Sequence, residues 1–175
     1  MEPTERIKQN PEDREIILQA LKQDGKALEW VEESLKNDRE IVKTAVMQNG
    51  EALEFASDQL KNDKEIVLEA VKQFGWVACY ASEELKDDKD IILTAVQKEG
   101  QILYYASSRL RNDKSIVLEA VKNKGIILKY ASKELRSDKD IAIAAIQQNK
   151  KAVSYLTDEV KQQPEVQQII NPPQE

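Results

Sequence analysis

Residues 63–87 read DKEIVLEAVKQFGWVACYASEELKD, and this stretch decides the fold because it recurs. Its opening aspartate returns as Asp13, Asp38, Asp63, Asp88, Asp113 and Asp138, every 25 residues without slippage. Three residues later come Ile16, Ile41, Ile66, Ile91, Ile116 and Ile141, and four beyond those Ala20, Ala45, Ala70, Ala95, Ala120 and Ala145. All five glycines share one register, at Gly25, Gly50, Gly75, Gly100 and Gly125. Leu35, Leu60, Leu85, Leu110 and Leu135 follow, with Val160 closing the series. Self-similarity at a fixed period of this length is the signature of a repeat architecture, here of six units.

Each unit reads as two helical segments. The first opens at the aspartate, whose carboxylate is suited to accept the free N–H groups of the opening turn and to complement the helix dipole. Ile41, Val42, Ala45 and Val46 then stand at i, i+1, i+4 and i+5, the set that makes one buried helical face. The glycine predicts a helix end in the left-handed conformation that costs a residue without Cβ least. The second segment places Ala52, Leu53, Phe55 and Ala56 at helical spacing. It is expected as a short helix followed by a tight turn. Ser57 either continues that helix or caps a new turn anchored by Leu60. No stretch alternates with period two, and the strand signature of a leucine-rich horseshoe is missing.

The expectation is therefore all-α: an α-solenoid of six 25-residue repeats, each a helix plus a shorter helix or turn, stacked because one unit cannot bury its apolar face alone. The array is expected over residues 10–170. Pro164 suits the first position of a partial terminal helix, and residues 1–9 and 171–175 read as frayed tails. Terminal repeats should be atypical, and they are. A second alanine ladder (Ala56, Ala81, Ala106, Ala131) becomes Val31 in the first unit and Leu156 in the last, and the glycine register becomes Lys150.

The unit at 63–75, continued by Tyr80-Ala81-Ser82 and Leu85, resembles the tandem repeat of the domain of unknown function four-one-one-six. The likeness covers residues 13–160, with D, I, A-V, G, Y-A-S and L at fixed offsets. It implies helical repeats in arrays. It implies no activity and maps no catalytic residue.

Composition narrows the function classes. Of 175 residues 33% are charged, for a net charge of −6. That balance argues against a nucleic-acid-binding surface. The absence of histidine removes the commonest general base and metal ligand, and a lone cysteine, Cys79, allows no disulfide within the chain. No apolar run approaches the roughly 18 residues of a membrane span, and the opening MEPTERIKQNPEDRE does not read as a signal peptide. A cytoplasmic, non-enzymatic protein without cofactor or metal is expected. Cys79 has no histidine to activate it, and Asp87, Asp88 and Asp90 lack the spacing of a calcium loop. A basic ladder (Arg39, Lys64, Lys89, Lys114 and Lys139 after the aspartates; Lys36, Lys61, Lys86, Arg111 and Arg136 before them) offers an alternative function, an anion- or phosphate-binding scaffold. Interleaved acids favour a charge-paired edge instead.

The aromatics carry the functional expectation. Trp30, Phe55, Tyr80, Tyr105, Tyr130 and Tyr155 share one register and read as a structural ladder. Phe74, Trp76 and Tyr104 break it. The register of Trp76 elsewhere holds Lys26, Glu51, Gln101, Ile126 and Lys151; that of Tyr104 holds Glu29, Glu54, Cys79, Lys129 and Ser154. These two registers lie three residues apart on the second segment and share a face. Phe74, Trp76, Cys79, Tyr104 and Ile126 are thus the candidate protein-binding patch of a helical-repeat interaction module.

Overall fold

The computed structural model describes residues 1–172, and these divide into two compact units that part between Leu85 and Lys86. Every regular element among the described residues is helical. The N-terminal unit contains α1 (Pro3–Gln9), α2 (Arg14–Leu21), α3 (Arg39–Gln48) and α4 (Lys64–Gln73). The C-terminal unit contains α5 (Lys89–Lys98), α6 (Lys114–Asn123), α7 (Lys139–Gln148), the single turn α8 (Asp158–Lys161) and α9 (Pro164–Ile170). The chain is an all-α solenoid of tandem 25-residue repeats, in which successive α-helices pack on one another within each unit.

Each of the six repeat helices starts where the sequence places its aspartate. The carboxylate accepts the N–H groups two and three residues on, as Asp63 does from Glu65 and Ile66 at 3.0 and 3.1 Å. Such a cap contributes about 1 kcal/mol, since it satisfies donors the helix leaves open. Ile41, Val42, Ala45 and Val46, with their counterparts in the following repeats, are almost wholly removed from solvent. Full burial stabilises each Ile or Val by roughly 1.5–3 kcal/mol.

The second segment is short and wound as a 3-10 helix: Gly50–Phe55 in one repeat, Gly75–Tyr80 in the next. Three residues per turn put Gly50, Leu53 and Ala56 on one side, and all three are buried. Ala56 then turns extended, and Ser57 opens a new turn leading into the 3-10 turn Leu60–Asn62. Ser57 Oγ accepts the N–H of Leu60 at 3.3 Å, so the serine caps a separate turn and does not prolong the helix. The same serine ties its repeat to the one before. Its N–H donates to the Lys36 carbonyl at 3.0 Å, and its hydroxyl donates to Asn37 Oδ1 at 2.6 Å. Ser82 and Ser132 repeat both bonds. In the first repeat the register holds Glu32, where no earlier repeat precedes it.

Two expectations are corrected. The glycines do not end their helices in the left-handed region: among the described residues no glycine has a positive φ. They are glycines because the next repeat comes too close. A Cβ on Gly25 would lie 2.2 Å from the Ala45 carbonyl oxygen, and one on Gly125 2.2 Å from that of Ala145. Nor is residues 1–9 a frayed tail. Its α1 packs on α2 and on the 3-10 helix Gly25–Trp30, Ile7 is wholly buried, and the Lys8 ammonium lies 3.6 Å from the Trp30 ring centroid. The helix covers the open end of the first repeat. At the other end α9 supplies the partial helix expected from Pro164. Asn171 and Pro172 are exposed, and the rest of the expected tail, residues 173–175, lies outside the described residues.

Candidate functional site

The five residues singled out from the sequence fall in both units. Phe74, Trp76 and Cys79 belong to the N-terminal one. Phe74 occupies the cap position of the 3-10 helix Gly75–Tyr80, where Asp24 and Asn49 in the earlier repeats accept the N–H of Lys26 and Glu51. The phenyl group cannot cap, and 39% of Phe74 is exposed. Trp76 is half-buried and meets Tyr80 of its own repeat edge-on, with centroids 5.7 Å apart. Burial, then the Glu54 carboxylate that accepts its hydroxyl, pushes the Tyr80 phenol up to about 12. Cys79 is half-buried.

Tyr104 and Ile126 belong to the C-terminal unit, which brings them together. They line one groove of about 330 Å³ with Tyr105, Ile127 and Tyr130, bordered by Gln101, Lys124 and Lys129. The 3-10 helix Gly100–Tyr104 is one residue shorter than its counterparts, although the N–H of Tyr105 still donates to the Ile102 carbonyl at 2.9 Å. Tyr105 stands 43% exposed. Tyr104, 53% exposed, makes edge contacts to both neighbours: 5.0 Å to Tyr105, and 4.9 Å to Tyr130 of the next repeat. Such pairs contribute about 0.5–1.5 kcal/mol each beyond area burial and hold the rings in place. Lys129 lies over the Tyr130 ring, 4.7 Å from its centroid, and its hydrogen bond to the Tyr130 oxygen raises its pKa. Lys124 donates to Gln101 Oε1 at 3.0 Å.

The aromatic ladder itself needs correction at two places. Trp30 and Tyr105 are exposed, whereas Phe55, Tyr80, Tyr130 and Tyr155 are half-buried. Sequence reasoning left Tyr105 and Tyr130 out of the patch because they keep register. The available signal was adjacency: Tyr104-Tyr105 is the one place where two aromatics are consecutive.

Of the basic ladder, Arg39, Lys89, Lys114 and Lys139 reach carboxylates 24–26 residues on. Arg39 reaches Asp63 at 2.8 Å and Glu65 at 2.5 Å in the next repeat, and Lys43 also meets Glu65 at 2.5 Å. Lys89 reaches Asp113 at 2.7 Å, and Lys114 reaches both Asp138 and Asp140 at 2.8 Å. Asp87 accepts from Ser107 and Arg109, while Asp88 caps α5. Among the described residues no group of three acids, histidines or cysteines is placed to hold a metal ion, and no helix is long and apolar enough to cross a membrane.

Comparison with known families places this repeat. A family model described as Domain of unknown function (DUF4116) matches five overlapping windows, residues 13–61, 42–86, 63–111, 88–136 and 113–161. No curated protein and no solved structure matches the chain. Four of the five windows begin on an aspartate that caps a repeat helix, and the chain belongs to the DUF4116 family.

Proposed function

We propose that the chain is a non-enzymatic interaction module whose tyrosine-lined groove binds a protein partner. One observation carries the reading: Tyr104, at a register that otherwise holds Glu29, Glu54, Cys79, Lys129 and Ser154, stands 53% exposed at the centre of a three-ring cluster. A repeat protein needs no aromatic at that position to fold, and clustered, pre-positioned aromatic rings are the typical anchors of protein interfaces. The anion-scaffold reading draws less support, because Arg39, Lys89 and Lys114 at the helix starts are already engaged by carboxylates of the next repeat. A reducing, cytoplasmic setting suits a chain with one cysteine.

The test is affinity capture on the full chain, wild type against Tyr104→Ser/Tyr130→Ser, with Glu69→Gln as a control for a surface change in the N-terminal unit. At least one protein should be retained by wild type and control and lost by the double variant. An identical set of captured proteins on all three would contradict the reading.

A further inference from the structure

The groove carries more than exposed rings: its border is cationic. Of the side chains bordering it, Lys124 and Lys129 are cationic, and among the described residues lining it there is no carboxylate. Both lysines sit beside neutral groups, Gln101 for one and the Tyr130 ring for the other. This sets them apart from Arg39, Lys89 and Lys114 of the basic ladder, whose charged groups hold carboxylates at 2.5–2.8 Å. The equivalent registers of the repeat beginning at Asp38 have the opposite character. Asn49, Glu51 and Glu54 stand where Lys124, Ile126 and Lys129 stand, and Glu51 is paired with Lys26 at 2.7 Å. The contrast extends to the units: Met1–Leu85 has 19 acidic against 11 basic side chains, net −8, whereas Lys86–Glu175 has 13 against 15, net +2.

We infer that the groove docks an acidic peptide segment, one that sets an apolar or aromatic side chain among Tyr104, Tyr105 and Tyr130 and its carboxylates on Lys124 and Lys129. The inference rests on the interaction-module reading and narrows it. The chemistry follows from the parts. Edge-paired tyrosines offer an apolar floor with hydroxyl donors at its rim. Two ammonium groups on that rim attract carboxylates and repel basic segments, which sets specificity more than affinity. A single-stranded nucleic acid also stacks on aromatic rings, but it needs a cationic track along its backbone. Two lysines do not make one, and the chain as a whole is acidic. The second apolar groove of note, about 230 Å³ beside Met47, is walled by Glu65 and Glu69 and offers such a segment no comparable welcome.

A random peptide library displayed on phage and selected on the full chain tests this. Enriched peptides should combine Asp or Glu with aromatic or aliphatic residues, and their binding should weaken as salt rises. They should lose about tenfold or more in affinity on Tyr104→Ser, and also on Lys124→Gln/Lys129→Gln, a milder change than charge reversal and one that leaves the rings in place. Peptides that depend on Tyr104 but carry no acidic excess would overturn the inference and leave the interaction module standing. Tyr104-dependent capture of a fluorescent single-stranded oligonucleotide, with no such peptides, would overturn it in favour of nucleic acid. Absence of any Tyr104-dependent binder would overturn both.

Discussion

The side-chain carbonyl of Gln148 accepts the backbone N–H of Gly125 at 2.6 Å, across 23 residues and one repeat boundary. The same amide returns a bond from Nε2 to the Asn123 carbonyl at 3.2 Å, so one glutamine clamps the end of the preceding helix from both sides. Gln48 does this for Gly25 and Gln23, and Gln73 for Gly50 and Val46. The clamp works only because the glycine lets the two backbones approach.

Gly125→Ala should therefore be costly, since its Cβ would lie 2.2 Å from a backbone oxygen that cannot swing away. We expect a loss of about 1–3 kcal/mol, the range for forcing extra volume into a packed contact. Lys150 holds the same register at the array end and is exposed, so Lys150→Ala should change stability by less than about 0.5 kcal/mol. Urea unfolding of the two variants checks both values, and equal midpoints would show that close approach does not explain the glycine ladder.

Acid should loosen the array. The Arg14 guanidinium holds the Asp38 carboxyl below the usual range. For Asp113, burial alone would raise the pKa, but Lys89, Ser115 and the N–H of Ile116 together hold it down to about 2. Asp63 and Asp138 are likewise lowered against burial, by Arg39 and Lys114 with the N–H groups of Ile66 and Ile141. A carboxylate lowered in the folded state stabilises fully above its unfolded value of about 3.9 and stops doing so as pH falls through its folded value. Urea midpoints measured against pH should be flat from neutrality to about pH 5 and drop between about pH 4 and about pH 2. Asp113→Asn should shrink that drop while lowering the midpoint at pH 7.

Tyrosine titration tests the Tyr80 environment. Its phenol, pushed up to about 12 by burial and by Glu54, should ionise later than an ordinary phenol of about 10. A neutral phenol favoured by the fold contributes stability that is complete below about pH 10 and lost as pH rises through about 12. In Glu54→Gln the late ionisation, followed by ultraviolet absorbance, should move down, with burial still holding it above 10. An unchanged profile would mean that the carboxylate does not face the phenol.

What the sequence made legible follows from where its periodicity is strict. The aspartate caps and the Ile41-Val42-Ala45-Val46 face were readable because a 3.6-residue helix leaves one possible arrangement for that spacing. The second segment was read as a generic short helix although Gly50, Leu53 and Ala56 stand at spacing three, which marks a 3-10 winding. That winding shows only once Gly50 is counted as a packed position and not as a terminator. The glycine error has the same root: a glycine after a helix is usually conformational, and close approach by a residue 20 positions away leaves no local trace. At the candidate site the register breaks found Tyr104 and Ile126. Tyr105 and Tyr130 escaped because they conform to the ladder, and a shared register does not fix exposure: Trp30 and Tyr105 stand in the open while Phe55 and Tyr130 are half-buried.

The central claim is that partners dock on the Tyr104–Tyr105–Tyr130 groove. Amide chemical-shift mapping of the full chain, titrated with a peptide enriched by the wild type, tests it most directly. The account predicts shifts clustered at Gln101, Tyr104, Tyr105, Lys124, Ile126 and Tyr130, and their loss in Tyr104→Ser. Shifts centred on Lys43, Met47 and Glu69, with the tyrosine groove silent, would contradict it.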